Sequence, residues 1–307
     1  MILVTAYERP DLDGTACAFA YAEFLQKSRK DAICGIFGNP HREAQFVLER
    51  FDIKSLGNGE KLIGKADSII IVDASDLGGL SRKINPEKVV EIIDHRKVNQ
   101  AGSFPNAKTQ IEFVGAAATI IAEKFYSNRT KISEESAALL FSAIISNTVN
   151  FQANVTTERD KKMAKWLETR FDLSEDFIHE MFLYKSKFKK PIKEILEDDF
   201  ATFKFNKTLG IAQLEIVNVD SFIDKELDKI KKALLEIKKK KSLDLIFLTC
   251  IDLEKAFNKL VVIDKDSQNL LEKSLNVKFE NCIAKRHGII MRKEIVPLIK
   301  SFLETKK

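Results

Sequence analysis

Short apolar runs that lead into acidic side chains constrain the fold of this chain most strongly. The run 68–72 reads Ser-Ile-Ile-Ile-Val and is followed directly by Asp73. Runs of this kind are typical of strands buried on both faces of a parallel sheet. Runs 2–6 and 89–93 are similar, and acidic residues follow each of them. We therefore expect a parallel sheet that carries acids at the carboxyl ends of its strands.

Ligands of open α/β sheets gather outside the carboxyl ends of the strands, so polar clusters that are distant in sequence can converge there. A pair of carboxylates two residues apart is also a common way to hold a divalent cation, although one such acid could instead cap a helix. His95 stands beside an aspartate at a strand end, which favours a ligand over a structural histidine. The clusters are Asp11 with Asp13, Asp73, Asp94 to Arg96, and Ser146 to Thr148.

The pattern of strands and helices predicts two α/β domains. Strands alternate with helices over residues 1–185, which indicates βαβ units and a parallel sheet with helices on both faces. The segment 186–193 is basic and contains a proline, so we predict a linker there. Residues 194–307 predict a smaller α/β domain, whose helix over 225–241 carries a solvated lysine face.

The predicted elements of the first domain begin with a strand at 2–6 and a helix at 14–29. A serine or threonine before an acidic turn marks a helix start, which predicts helices after Ser133 and Thr157. The other predicted strands are 32–37, 68–73, 89–93, 201–205, 209–216, 243–250 and 259–263, and the other helices are 41–51, 115–127 and 293–304.

Composition excludes several classes of protein. With 45% hydrophobic and 31% charged residues, the chain is an ordinary globular protein rather than a disordered one. No apolar run approaches the roughly 20 residues that cross a bilayer, so we expect no membrane partner and a cytoplasmic location. Aromatic residues are missing from the lysine helix, which makes nucleic acid an unfavoured partner. The four cysteines show no metal-binding spacing and are predicted to be structural thiols.

The clusters at Asp11 and Asp13, at Asp73 and at Asp94 to Arg96 occur in an order and spacing that resemble the motifs of the DHH phosphoesterase superfamily. Within it, the chain is similar to the branch of manganese-dependent (family II) inorganic pyrophosphatases and short-chain exopolyphosphatases, which has a C-terminal DHHA2 domain. The motifs that carry the resemblance are Pro10-Asp11-Leu12-Asp13, Val72-Asp73, Asp94-His95-Arg96, 114–121, 142–151 and 288–297.

The resemblance implies a site with two divalent cations, Mn²⁺ or Mg²⁺ with Co²⁺ as a third option. Asp73 would bridge the two cations, and the C-terminal domain would close over the site. The implied metal ligands are Asp11, Asp13, Asp73, His95 and Asn147. The implied catalytic residues are Asp73, His95 and Arg96, and the implied substrate-binding residues are Arg9, Arg96, Lys207, Arg292 and Lys293.

Three positions depart from the family pattern. Tyr7 and Arg96 stand where these enzymes have histidines, and Asn147 stands where they have an aspartate. Loss of an imidazole and a carboxylate favours Mg²⁺ or weaker Mn²⁺ binding. Arg96 is within the range of the superfamily, because the exopolyphosphatase branch also has Asp-His-Arg. A guanidinium cannot titrate, so it would stabilise phosphate charge instead of donating a proton.

The function implied is metal-dependent hydrolysis of a phosphoanhydride. Pyrophosphate and short polyphosphate are both retained as substrates. The alternative is a catalytically impaired relative that binds a phosphorylated ligand or a protein partner. The oligomeric state is left open, with a homodimer among the options.

Overall fold

A computed structural model describes residues 1–54, 56–96 and 99–304. The chain forms two compact units. The N-terminal unit holds residues 1–151 and 155–184, and the C-terminal unit holds 152–154 and the chain from Lys185 onwards. The domain ranges 1–185, 186–193 and 194–307 stay predictions.

The described part of the N-terminal unit contains a sheet of six strands in the order β3-β2-β1-β4-β5-β6. Every neighbouring pair is parallel, which confirms the predicted parallel sheet. The order reverses direction between β1 and β4, the place where open α/β sheets form a crevice. The strands are β1 (Ile2–Thr5), β2 (Ala32–Ile36), β3 (Gly57–Asn58), β4 (Ser68–Val72), β5 (Val89–Asp94) and β6 (Lys108–Ile111).

Apolar residues on both sides of the central strands explain why this sheet forms. Ile69 and Ile71 belong to one apolar cluster with Leu3, whereas Ile70 and Val72 alternate with them and are buried too. Strands that are apolar on both sides are stable only where other elements cover both faces of the sheet and bury these side chains. The helices are α1 (Leu12–Lys27), α2 (Arg42–Arg50), α3 (Gly59–Leu62), α4 (Ala117–Ser127), α5 (Glu134–Asn147), α6 (Glu158–Leu167) and α7 (Phe177–Ser186).

Helix α1 begins two residues before the predicted start at 14. The Asp11 side chain accepts a hydrogen bond from the Gly14 amide at 3.0 Å, so Asp11 is the N-cap and Leu12 is already helical. The predicted helix starts after Ser133 and Thr157 are confirmed, and each of these side chains caps its helix.

The described part of the C-terminal unit has a mixed sheet in the order β11-β12-β10-β9-β8-β7. Strands β8 and β9 are parallel and the other pairs are antiparallel. Its elements are α8 (Ile192–Asp198), β7 (Phe200–Lys204), β8 (Thr208–Ile216), α9 (Val219–Lys240), β9 (Leu245–Asp252), β10 (Phe257–Val262), α10 (Lys265–Leu275), β11 (Phe279–Glu280), β12 (Ile283–His287) and α11 (Arg292–Glu304).

Helices cover both faces of this second sheet. Helices α8 and α9 pack on one face through a cluster that includes Leu196 and Leu234. Helices α10 and α11 pack on the other through Leu271 and Ile295. The predicted apolar face of the lysine helix is confirmed, because Ile230 and Leu234 are fully buried. Among the described residues, no helix is both long and apolar enough to cross a membrane.

Candidate active site

Three side chains meet at the carboxyl ends of β1, β4 and β5. Asp13 lies in the first turn of α1, Asp73 directly follows β4, and His95 directly follows β5. One potential ligand atom from each of them lies within 4.8 Å of the other two. The predicted convergence of strand-end clusters is therefore observed for these three residues.

Asp13 is fully buried, and its carboxylate accepts hydrogen bonds from the first turn of α4. The amides of Ala117 and Ala118, at the start of α4, donate to its two carboxylate oxygens at 2.8 Å each. Such amides carry the positive end of the helix dipole and favour a carboxylate. Burial raises the pKa of Asp13 to about 6; His95 and these amides oppose the rise, and the charge of Asp11 adds to it.

Asp73 has a left-handed backbone with φ of 53°. Its amide donates to the Ile93 carbonyl at 2.8 Å, which continues the β4–β5 pairing to the end of the strand. The left-handed turn is tolerated by aspartate better than by most residues. Burial raises the pKa of Asp73 well above its usual range, the charge of Asp13 adds to this effect, and His95 opposes it.

His95 is fixed by a hydrogen bond between Nδ1 and the Val114 carbonyl at 3.0 Å. A carbonyl only accepts, so Nδ1 carries a proton and Nε2 faces the acids. Nε2 lies 3.4 Å from Asp73 Oδ1 and 3.8 Å from Asp13 Oδ2. Burial alone would lower the pKa of His95, but Asp73 and Asp13 outweigh it and raise the pKa to about 9.

Asp94 is buried beside the cluster and is occupied by other donors. The Ser75 hydroxyl donates to Asp94 Oδ2 and the His95 amide donates to Asp94 Oδ1, the latter at 2.7 Å. These bonds fix the backbone on which His95 stands. Asp94 therefore orients the histidine.

Arg96 and Tyr7 form one edge of the site. The Arg96 guanidinium lies 5.9 Å from the centre of the Tyr7 ring and donates to the Asp73 carbonyl at 3.3 Å. Its side chain remains 40% exposed, so it can meet a ligand from solvent. The Tyr7 hydroxyl accepts from the Asp11 amide at 2.9 Å. Burial, followed by the charges of Asp11 and Asp73, raises the pKa of Tyr7, so its hydroxyl stays neutral.

Two predicted ligands make different contacts. Asp11 caps α1 and is not a member of the three-residue cluster. Asn147, the last residue of α5, donates from Nδ2 to Asp13 Oδ2 at 2.7 Å. Asn147 thus reaches the site as a hydrogen-bond donor. The assignment of Asp11 and Asn147 as metal ligands stays a prediction.

The predicted substrate-binding residues are placed in both units. Arg9 is exposed in the N-terminal unit, where its amide donates to the Phe37 carbonyl at 2.7 Å. Lys207 is exposed in the C-terminal unit, with its Nζ 4.0 Å from Asp266 Oδ2. These contacts do not identify a phosphate-binding site, so both assignments stay predictions.

Arg292 begins α11 and is tied down within the C-terminal unit. Its guanidinium forms an ion pair with Asp199 at 2.5 Å and donates to the Asp199 carbonyl at 3.0 Å. Its amide donates to Gln213 Oε1 at 2.8 Å. Burial would raise the pKa of Glu215, but Lys185, Arg292 and Lys293 lower it, which indicates that this end of α11 is cationic.

Sequence reasoning missed the partners that orient these groups. Ser75, Asp199 and Gln213 carry no local motif, so only the folded chain shows their contacts. Asp160 did carry a signal, because Thr157 and Asp160 form a capping box at the start of α6. Its further contact with the loop before α4 was not predictable from that motif.

The donors of the cluster fit a divalent cation. Two carboxylates and one imidazole are ligands for Mn²⁺, and carboxylates also suit Mg²⁺. The fixed Nδ1–H of His95 leaves Nε2 as the coordinating atom, an arrangement typical of metal-binding histidines. Buried carboxylates with raised pKa values also gain stability from a nearby positive charge.

Comparison with known proteins gives a consistent result. Residues 1–144 match the DHH family, N-terminal domain, and residues 179–302 match the DHHA2 domain. The manganese-dependent inorganic pyrophosphatase of Methanocaldococcus jannaschii is 33% identical over 310 residues, 97% of each chain. The probable manganese-dependent inorganic pyrophosphatase of Clostridium acetobutylicum is 30% identical, over 100% of this chain and 99% of that protein.

Two solved structures resemble the chain. The crystal structure of a putative family II inorganic pyrophosphatase from Methanococcus jannaschii has a TM-score of 0.76 and 31% identity, over 99% of this chain and 100% of that one. An exopolyphosphatase-related protein from Bacteroides fragilis has a TM-score of 0.53 and 14% identity, over 99% of this chain and 92% of that one. The second likeness concerns the fold alone.

Proposed function

The chain belongs to the DHH family, in the branch with a DHHA2 domain, and we propose that it is a metal-dependent hydrolase of inorganic pyrophosphate. It aligns with manganese-dependent inorganic pyrophosphatases at 30% identity over 100% of its length and at 33% identity over 97%. The observation that carries the proposal is the buried cluster of Asp13, Asp73 and His95, whose ligand atoms lie within 4.8 Å.

Asp13, Asp73 and His95 would hold a divalent cation, and Asp11 and Asn147 would complete the ligand set. When bound, divalent cations neutralise phosphate charge and make a water molecule acidic enough to attack phosphorus at neutral pH. The chain fixes the donors beforehand: the amides of α4 hold Asp13, and the Val114 carbonyl holds His95. Pre-ordered donors of this kind lower the cost of binding.

Arg96 would bind a phosphate oxygen at the edge of the site. Its guanidinium matches phosphate geometry and keeps its charge at any working pH. Contact with the Tyr7 ring and the Asp73 carbonyl holds it near the cluster while leaving it 40% exposed. In this role it stabilises charge that develops on the leaving phosphate.

Arg292, Lys293 and Lys207 would supply further positive charge from the C-terminal unit. Arg292 is held by Asp199 and Gln213, so it presents a fixed cation at the start of α11. Its position in the segment that resembles the family's basic motif supports a role in substrate binding. Arg9 is retained as a weaker contact of the same kind.

Phosphate release from pyrophosphate and tripolyphosphate, with Mn²⁺, Mg²⁺ or Co²⁺, tests the proposal. Asp73→Asn should abolish turnover, and Asp52→Asn is a matched control. Both aspartates have positive φ, at 53° and 49°, and Asp52 is 79% exposed. Asparagine tolerates that backbone in both places, so backbone strain does not distinguish the two variants.

The outcomes of this assay distinguish the candidate functions. Faster release from tripolyphosphate than from pyrophosphate would identify a short-chain polyphosphatase. If no phosphate is released with any cation and no cation shifts the melting temperature, the proposed enzymatic function is wrong. That result would favour a relative that only binds a ligand. A cytoplasmic location and a homodimer stay proposals, which cell fractionation and light scattering would test.

A further inference from the structure

Asp160 is a fully buried carboxylate that lies outside the metal cluster yet is connected to it. It belongs to α6, and its oxygens accept from the Gly115 amide at 3.0 and 2.9 Å. The Thr119 hydroxyl donates to it at 2.5 Å, and the Thr157 amide donates at 2.7 Å. A helix cap requires only the contact with Thr157. The contacts with Gly115 and Thr119 join α6 to a different part of the chain.

The segment that Asp160 holds is the one that orients the metal ligands. The Val114 carbonyl accepts from His95 Nδ1, and the amides of Ala117 and Ala118 donate to Asp13. The Asp160 contacts at positions 115 and 119 bracket the amides that bind Asp13. Two of the three cluster residues therefore depend on a backbone segment that Asp160 fixes.

The residue at position 115 shows how closely this segment is packed. A Cβ on Gly115 would lie 2.5 Å from Thr148 Cγ2 and 2.9 Å from Asp160 Oδ2. Only a glycine lets the backbone approach the carboxylate this closely. Displacement of the carboxylate would therefore shift the Val114 carbonyl and the first amides of α4.

We propose that Asp160 is a positioning residue for the metal site, acting through the 114–119 segment on His95 and Asp13. The proposal rests on the proposed function only in naming a divalent cation as the ligand. Partners of metal ligands typically contribute about 10- to 100-fold in metal affinity. Asp160 acts one step further away, so we expect a loss near the lower end of that range.

Mn²⁺ affinity, measured by calorimetry without substrate, tests the proposal. Asp160→Ala should weaken Mn²⁺ binding by about tenfold. Asp160→Asn should stay within about threefold of wild type, because its amide oxygen can keep the bonds from Gly115 and Thr157 while the Thr119 hydroxyl rotates to accept. Asp264→Ala is the control, since it removes an aspartate cap from α10 in the other unit.

The results separate a positioning role from a purely structural one. Unchanged Mn²⁺ affinity in folded Asp160→Ala, or an equal loss in Asp264→Ala, would overturn the proposal. If Asp160→Ala does not fold, Thr119→Val decides, because it removes one Asp160 contact and keeps the side-chain volume. A loss of about threefold supports the proposal, and no loss overturns it.

A second readout does not need metal. In metal-free protein with ¹⁵N-labelled histidine, the Nδ1–H of His95 should give a protected imidazole resonance, which His95→Gln identifies by its loss. Asp160→Ala should remove that protection while Asp264→Ala keeps it. A protected resonance in Asp160→Ala would contradict the proposal, even if wild type bound no metal and the proposed function failed.

Discussion

Asn147 offers the sharpest test of the electrostatics of the site. Its Nδ2 donates to Asp13 Oδ2 at 2.7 Å. Asn147→Asp would replace that donor with a second carboxylate oxygen at the same place. At 2.7 Å and an effective dielectric constant of about 20, two negative charges repel by about 6 kcal/mol.

The carboxylate pair would avoid this repulsion by binding one proton. Within that pair Asp13, whose pKa is about 6, already binds a proton more readily than an ordinary carboxyl group. Protonation of such a group costs about 1.4 kcal/mol at pH 7 and about 2.7 kcal/mol at pH 8, less than the repulsion. The folded variant then binds a proton that the unfolded chain lacks, so its stability falls as the pH rises above about 6.

Urea denaturation of chelator-treated protein at pH 6, 7 and 8 measures this effect. We expect Asn147→Asp to match wild type near pH 6 and to lose about 1.4 kcal/mol for each further pH unit. Asn150→Asp is the matched control, because Asn150 is exposed and gains the same charge without facing Asp13. Equal stability of Asn147→Asp and wild type at pH 8 would refute the reasoning.

Metal should reverse the sign of the effect. A divalent cation displaces the proton and gains a charged oxygen ligand, so Asn147→Asp should bind Mn²⁺ at least about tenfold more tightly than wild type. Calorimetric titration at pH 7 measures the difference. Unchanged Mn²⁺ affinity would show that position 147 does not reach the cation.

Three further changes probe the surroundings of the site. Tyr7→Phe removes the acceptor of the Asp11 amide and should cost about 1–3 kcal/mol in urea denaturation, whereas Tyr126→Phe, at an exposed ring, should cost almost nothing. Asp199→Asn removes the ion pair of Arg292 and should raise KM for pyrophosphate about tenfold, or 1.4 kcal/mol; an unchanged KM would contradict a substrate role for Arg292. Chelation should lower the melting temperature, and Mn²⁺ at 100 times its Kd should restore about 2.7 kcal/mol; equal melting with and without Mn²⁺ would contradict metal binding.

Strand-end acids were predictable because two simple rules apply to them. Uninterrupted apolar runs such as 68–72 identify buried parallel strands, and the ends of such strands face one crevice. The rules place Asp73 and His95 together without any alignment. They do not distinguish Asp11 from Asp13, because side-chain direction after β1 depends on where α1 begins. That start is set by the Asp11 cap, a choice between two adjacent acids.

Contacts between segments that are distant along the chain could not be predicted from the sequence. Asp199 lies far from Arg292 along the chain, and nothing local to either residue predicts their ion pair. The Arg292 guanidinium is paired with a carboxylate that directly precedes β7, a contact that the sequence at the start of α11 does not predict. Helix α10 was also missed, although Asp264 caps it.

The contrast between the two sheets has a consequence for how the chain folds. In the first sheet Ile2 pairs with Ser68, whereas in the second Val262 pairs with Phe247. Parallel pairs need long crossovers, and closing a long loop costs entropy before any contact rewards it. Chains rich in such distant pairings reach their native state slowly. The half synthesised first is thus the half with the slower topology, and its apolar strands depend longest on protection from aggregation.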